Sequence, residues 1–221
     1  MPFWLEYGPR RSEVGDSQGS WMREFLWYNA GMASTNIRLF RTQKDWETWL
    51  ADNHAKAGEA WLRLAKKGSD IRSVSYAEAL EVALCYGWID AQKKPESEKA
   101  WLQRFTPRRA KSIWSKINRE KAAALIKASR MKPAGLEQIE MAKEDGRWDA
   151  AYDSPRGAEV PKDLQAALNR NARARAFFTT LDRANRYAVL FRIQTAKKAE
   201  TRARRIREYV EMLARHEKLH P

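Results

Sequence analysis

Residues 84–90, LCYGWID, place the only cysteine of the chain, Cys85, five positions before Asp90. A nucleophilic cysteine needs a base close by and a local field that lowers its pKa. Neither is legible here. Ser75-Tyr-Ala-Glu78 has the form of a capping box, and Tyr76, Ala79, Leu80, Ala83 and Leu84 follow as one apolar stripe. Cys85 and Tyr86 then fall in the last turn of a helix, whose dipole disfavours a thiolate. Gly87 stands where a left-handed residue ends such a helix, and Trp88 and Ile89 begin an extended segment. No local pattern brings His54, His216 or His220 to the thiol. Cys85 therefore reads as a buried packing residue.

Other chemistry-bearing patterns are equally sparse. There is no zinc-ligand spacing, no Gly-rich phosphate loop and no nucleophile elbow, so no metal and no cofactor is implied. The carboxylates Glu144, Asp145, Asp149 and Asp153 flank the GRWDAAYD loop and read as caps and solvated loop charge. The strongest anomaly is residues 93–132, where thirteen Lys and Arg oppose only Glu96, Glu98 and Glu120, a net +10. Trp101, Phe105 and Trp114 are interleaved with these cations. Two readings are open: a phosphate-tracking groove with stacking platforms, or cations coating the outside of inward-pointing rings. The Pro107-Arg108-Arg109 turn has no acid near it in sequence, which requires an anionic partner or a carboxylate from elsewhere in the fold. The candidate partner-binding residues are Arg104, Arg108, Arg109, Lys111, Lys116 and Arg119.

The elements that would position these residues follow from pattern. Thr42 with Asp45 caps a helix carrying Trp46, Trp49 and Leu50, and AWLRLAK (60–66) is a strand. The segment from Trp88 turns near Pro95 and returns as AWLQRF (100–105), a hairpin ended by Pro107. A helix is predicted over 112–128 with Ile113, Ile117, Ala124, Leu125 and Ala128 inward, and the next begins at Pro133 with Leu136, Ile139 and Ala142 inward. Short helices follow with faces Leu164/Ala167/Leu168, Phe177/Phe178/Leu181 and Tyr187/Ala188/Phe191. A last helix near 196–215 turns Ile206, Val210, Leu213 and Ala214 inward and its arginines outward.

The fold class expected is α+β: helices with a small antiparallel sheet in the N-terminal half, followed by an all-helical C-terminal module. The boundaries expected are 34–130 and 131–221. Residues 1–33 lack any period, which reads as an extension or a start assigned upstream of Met32. Ten tryptophans demand a substantial core, and 42 basic against 28 acidic residues leave +14 over 221 residues. Such charge implies anionic partners and says nothing of fold. One cysteine excludes an intramolecular disulfide, and no apolar run reaches the ~20 residues of a membrane helix. With no secretory leader visible, a cytoplasmic location is expected.

The stretches WIDAQKK, RFTPRRAKSIWSKIN, RMKPAGLEQIEMAKEDGRWDAAYD and AKKAETRARRI together resemble the YdeI/OmpD-associated, or bacteriocin-protection, family, in order from about Phe40 to Leu213. The resemblance implies an α+β N-terminal part, a helical C-terminal module and a role in tolerating bacteriocins or antimicrobial peptides. It brings no catalytic residue. The function expected is that of a non-enzymatic accessory protein whose basic face meets an anionic partner. The alternatives are a nucleic-acid-associated protein using 93–132, and an enzyme holding a small anion at Arg104, Arg108 and Arg109, for which no general base can be named.

Overall fold

The computed structural model describes residues 37–221; the non-periodic segment 1–33 lies outside them. The described chain forms two compact units. One comprises the described residues up to Arg109 together with Leu125–Gln138, and the other Ala110–Ala124 with Ile139–Pro221.

The first unit is α+β. Its elements are β1 (Ile37–Arg38), α1 (Gln43–Asn53), β2 (Ala60–Ala65), α2 (Tyr76–Cys85), β3 (Trp88–Pro95) and β4 (Ala100–Pro107), with sheet order β1-β2-β4-β3. β4 pairs antiparallel with both β2 and β3, as the hairpin pattern requires. β1 pairs parallel with β2, so the sheet is mixed where an antiparallel one was expected. The reason is the connection, since a strand returning through α1 re-enters in the same direction. Both predicted helix starts are capping boxes, Thr42 with Asp45 and Ser75 with Glu78. Gly87 has φ +72, the left-handed turn that ends α2 and launches β3.

Registry puts Leu62, Leu64, Trp88 and Phe105 on one face of the sheet, where α1 and α2 cover them. Trp46 is the hub of that core. Its ring lies 5.7 Å from Phe105 and 6.3 Å from Trp88, and its indole N–H donates to the Ala79 carbonyl at 3.0 Å. Burial of two such indoles is affordable because each N–H finds a carbonyl, Trp88 donating to His54.

Two helices follow, α3 (Lys116–Lys127) and α4 (Pro133–Glu144). α3 starts four residues later than predicted. Ser115 caps it by accepting the Asn118 amide, while Trp114 and Lys116 exchange backbone bonds with Tyr152. The inward face also differs: Ala122 and Leu125 are buried, whereas Ile117, Ala124 and Ala128 are exposed. In α4 the inward residues are Gly135, Ile139 and Ala142, and Leu136 is exposed. The face is rotated because Gly135 meets the end of α2, where the Cys85 carbonyl leaves no room for a side chain.

The second unit holds the C-terminal helices α5 (Lys162–Asn169), α6 (Ala172–Thr180), α7 (Arg183–Gln194) and α8 (Ala199–Ala214). Leu164, Leu168, Ala174, Phe178, Val189, Leu190, Ile193, Ile206 and Leu213 make their common core. In α7 the more deeply buried face is Val189, Leu190 and Ile193, beside Tyr187; Ala188 and Phe191 are only partly covered. Asp153 fastens the GRWDAAYD loop to α7: its carbonyl accepts from Tyr187 Oη at 2.8 Å, and its amide and carboxylate both bond Gln194.

Candidate functional site

Asp90 stands on the covered face of the sheet, opposite Phe105 on β4. Tyr76, the first residue of α2, donates its hydroxyl to Asp90 Oδ2 at 2.8 Å. Burial pushes the Asp90 pKa up; the Tyr76 hydrogen bond, a backbone bond and the Arg108 guanidinium only partly oppose this. The Tyr76 ring lies 5.9 Å from Trp101, and Lys93 Nζ sits 4.2 Å over Trp101. Beside them Gln103 is wholly buried. Its amide donates to the carbonyls of Ala91, Gln92 and Arg104, filling the irregularity where the β3 register shifts between Asp90 and Lys93. Its Oε1 has no hydrogen-bond partner among the described residues. The cluster is a half-buried acid of raised pKa bonded to a tyrosine hydroxyl, with the Tyr76 ring beside Trp101.

Cys85 takes no part in it. The thiol is buried, and burial raises its pKa above the ordinary thiol range. Its carbonyl accepts the Lys132 amide at 3.1 Å, so the residue serves the α2–α4 junction. Among the described residues no cluster of His, Cys, Asp and Glu could hold a metal ion.

The six basic candidates divide between the units. Arg104, Arg108 and Arg109 belong to the first, Lys111, Lys116 and Arg119 to the second. Arg104 pairs with Glu59 at 2.5 Å, and Arg108 is buried near Asp90. Arg109 and Lys111 are exposed. Lys116 pairs with Asp153 at 2.5 Å, and Arg119 donates to the Trp148 carbonyl. Elsewhere in 93–132, Lys99 pairs with Asp70, Arg130 with Glu81 and Lys132 with Glu47. Five of the thirteen cations thus find carboxylates from outside the stretch. Phe105 and Trp114 point inward, which removes two of the three stacking platforms.

A second basic region extends N-terminally from the arginines of the last helix. Residues 157–216 hold fourteen Lys and Arg against six Asp and Glu, a net +8. Arg202 is tied down, its guanidinium bonding both Asp163 oxygens and the Ile193 carbonyl. Arg205 donates to the Arg192 carbonyl, and Arg204 pairs with Glu208. Arg170, Arg173 and Arg175 are exposed and have no ion pair among the described residues. The signal that could have found them was the acid-free run from Leu164 to Leu181.

It is this same region that a family model recognises. Residues 157–216 match the family described as Bacteriocin-protection, YdeI or OmpD-Associated. Over that stretch the chain is similar to the YdeI or OmpD-associated family. Residues 38–138 match a separate model, a domain of unknown function (DUF8412). The match to this family includes the AKKAETRARRI stretch, and the other motifs of the resemblance, all before residue 157, lie outside it. No curated protein and no solved structure matches the chain. Among the described residues, no helix is long and apolar enough to cross a membrane.

Proposed function

We propose that the protein is a non-enzymatic accessory factor, acting from the cytoplasm, that supports tolerance to bacteriocins or antimicrobial peptides by binding an anionic partner. The observation that carries this reading is the coincidence of the YdeI or OmpD-associated module with the +8 of residues 157–216, only part of which is neutralised by internal pairs. The sign of the charge also selects the mode of action. A chain of +14 repels a cationic peptide, so protection by direct sequestration is disfavoured and an anionic component of the cell is the better partner. The nucleic-acid alternative drew on residues 93–132, and the internal pairing of Lys99, Arg104, Lys116, Arg130 and Lys132 takes away much of its support. Two measurements test the proposal together. Deleting the gene should sensitise its host to a cationic antimicrobial peptide, and the tagged protein should capture a protein partner from lysate in a nuclease-insensitive, salt-sensitive manner. Unchanged sensitivity, or capture abolished by nuclease, would refute it.

A further inference from the structure

We infer that the outer face of α6, bounded by Arg173 and Arg175 and extended by Arg170, is the surface that docks an acidic segment of a partner protein. This deepens the reading above and rests on it.

α6 buries Ala174 and Phe178 and turns Ala172, Ala176, Thr179 and Thr180 to solvent. At 3.6 residues per turn, Arg173 and Arg175 lie on opposite flanks of that outward strip. Arg170 caps the preceding helix just before it. All three are exposed without an ion pair among the described residues, and no acid occurs between Asp163 and Asp182 that could supply one. Their placement also breaks a local rule. Arg173 and Arg175 stand at the start of α6, where the positive end of the helix disfavours cations. Asn171 already caps that end by accepting the Ala174 amide. Among the described residues no acid pairs with either arginine, whereas a partner's carboxylates would meet guanidinium forks and helix dipole together.

The other anionic partners fit this face poorly. Nucleic acid wants rings on which bases stack. Phe178 is buried with Arg186 against its ring, and Phe177 is stacked on His216. An anionic membrane is bound by helices that also present apolar side chains. The exposed large hydrophobics of the described chain lie at residues 37–141, none of them in α5 to α8. The Thr179 and Thr180 hydroxyls are spent on backbone carbonyls, which leaves the arginines to provide the recognition. A strip of small residues with one guanidinium on each flank suits a chain bearing carboxylates on both edges.

The test uses the full-length chain and three probes: a short Asp/Glu-rich peptide, a single-stranded oligonucleotide and vesicles rich in anionic lipid. Arg173→Glu with Arg175→Glu should weaken peptide binding about a hundred-fold at ~150 mM salt, each arginine supplying one charge-assisted contact. The comparison variant, Lys44→Glu with Lys56→Glu, changes net charge equally at exposed positions, one of them likewise at a helix start, and should shift binding less than about threefold. The α6 variant should melt no lower than the unaltered chain, because glutamate suits that helix end. Equal losses in both variants would show bulk charge and overturn the inference, as would tighter binding of the oligonucleotide or vesicles than of the peptide. If the unaltered chain bound none of the three probes, the anionic-partner reading itself would fall.

Discussion

Replacing Gly135 with alanine should be among the most damaging single-methyl changes in this protein. A Cβ at that position would lie 2.3 Å from the Cys85 carbonyl oxygen and 2.8 Å from its carbon, both backbone atoms that cannot swing away. Relief requires α4 to withdraw from the end of α2 by about 1 Å, the distance to ordinary van der Waals contact. That movement stretches the Lys132 N–H bond to the Cys85 carbonyl, now 3.1 Å, and opens the junction where the Ala134 carbonyl approaches Gly87. Overpacking of this kind costs about 1–3 kcal/mol and a weakened hydrogen bond about 1 kcal/mol. Alanine recovers about 1 kcal/mol of helix propensity. The net expectation is a loss of about 2 kcal/mol. Urea unfolding followed by tryptophan fluorescence would measure it, with Gly58→Ala as the comparison, since nothing lies within 4 Å of a Cβ there. Equal stability of the two variants would refute the close approach of α4 to α2.

Three further outcomes are expected. Cys85→Ala should cost on the order of 1 kcal/mol, and native Cys85 should react with a thiol reagent far more slowly than in the unfolded chain, because burial keeps the thiol protonated. The folded-state pKa of Asp90 is raised, so the folded chain holds that proton longer than the unfolded one; this acid's contribution to stability should fall as pH rises from about 3.9 through the raised folded-state value, and Asp90→Asn should flatten the slope in pH-dependent unfolding. Arg108→Ala with Arg109→Ala should lower the melting temperature through Arg108, which is buried, while changing the salt slope of oligonucleotide binding by less than about one unit; a slope change near two would show both arginines on phosphates.

Much of the first unit is legible in the sequence because its signals are local. A capping box needs residues three apart, as at Thr42 and Ser75, and a left-handed Gly87 after a helix depends on its immediate neighbours. The β3–β4 hairpin likewise follows from Pro95 and the strands that flank it. Helix faces near a tight contact were less legible: periodicity assigned Leu136 inward, but a residue small enough for the Cys85 carbonyl had to take that place, and Gly135 did.

Charge shows the division most clearly. Sequence alone established an excess of +14 and its crowding into 93–132, together with the absence of any metal-ligand or nucleophile pattern. Only the tertiary structure decided which cations are answered from within. Arg104 finds Glu59, Lys116 finds Asp153 and Arg130 finds Glu81, each at least thirty-seven positions away, while Arg170, Arg173 and Arg175 find no carboxylate among the described residues. The physical reason is that caps, turns and stripes depend on neighbours within one or two turns, whereas an ion pair depends on distance in space, and chain separation carries no information about that until the fold is formed.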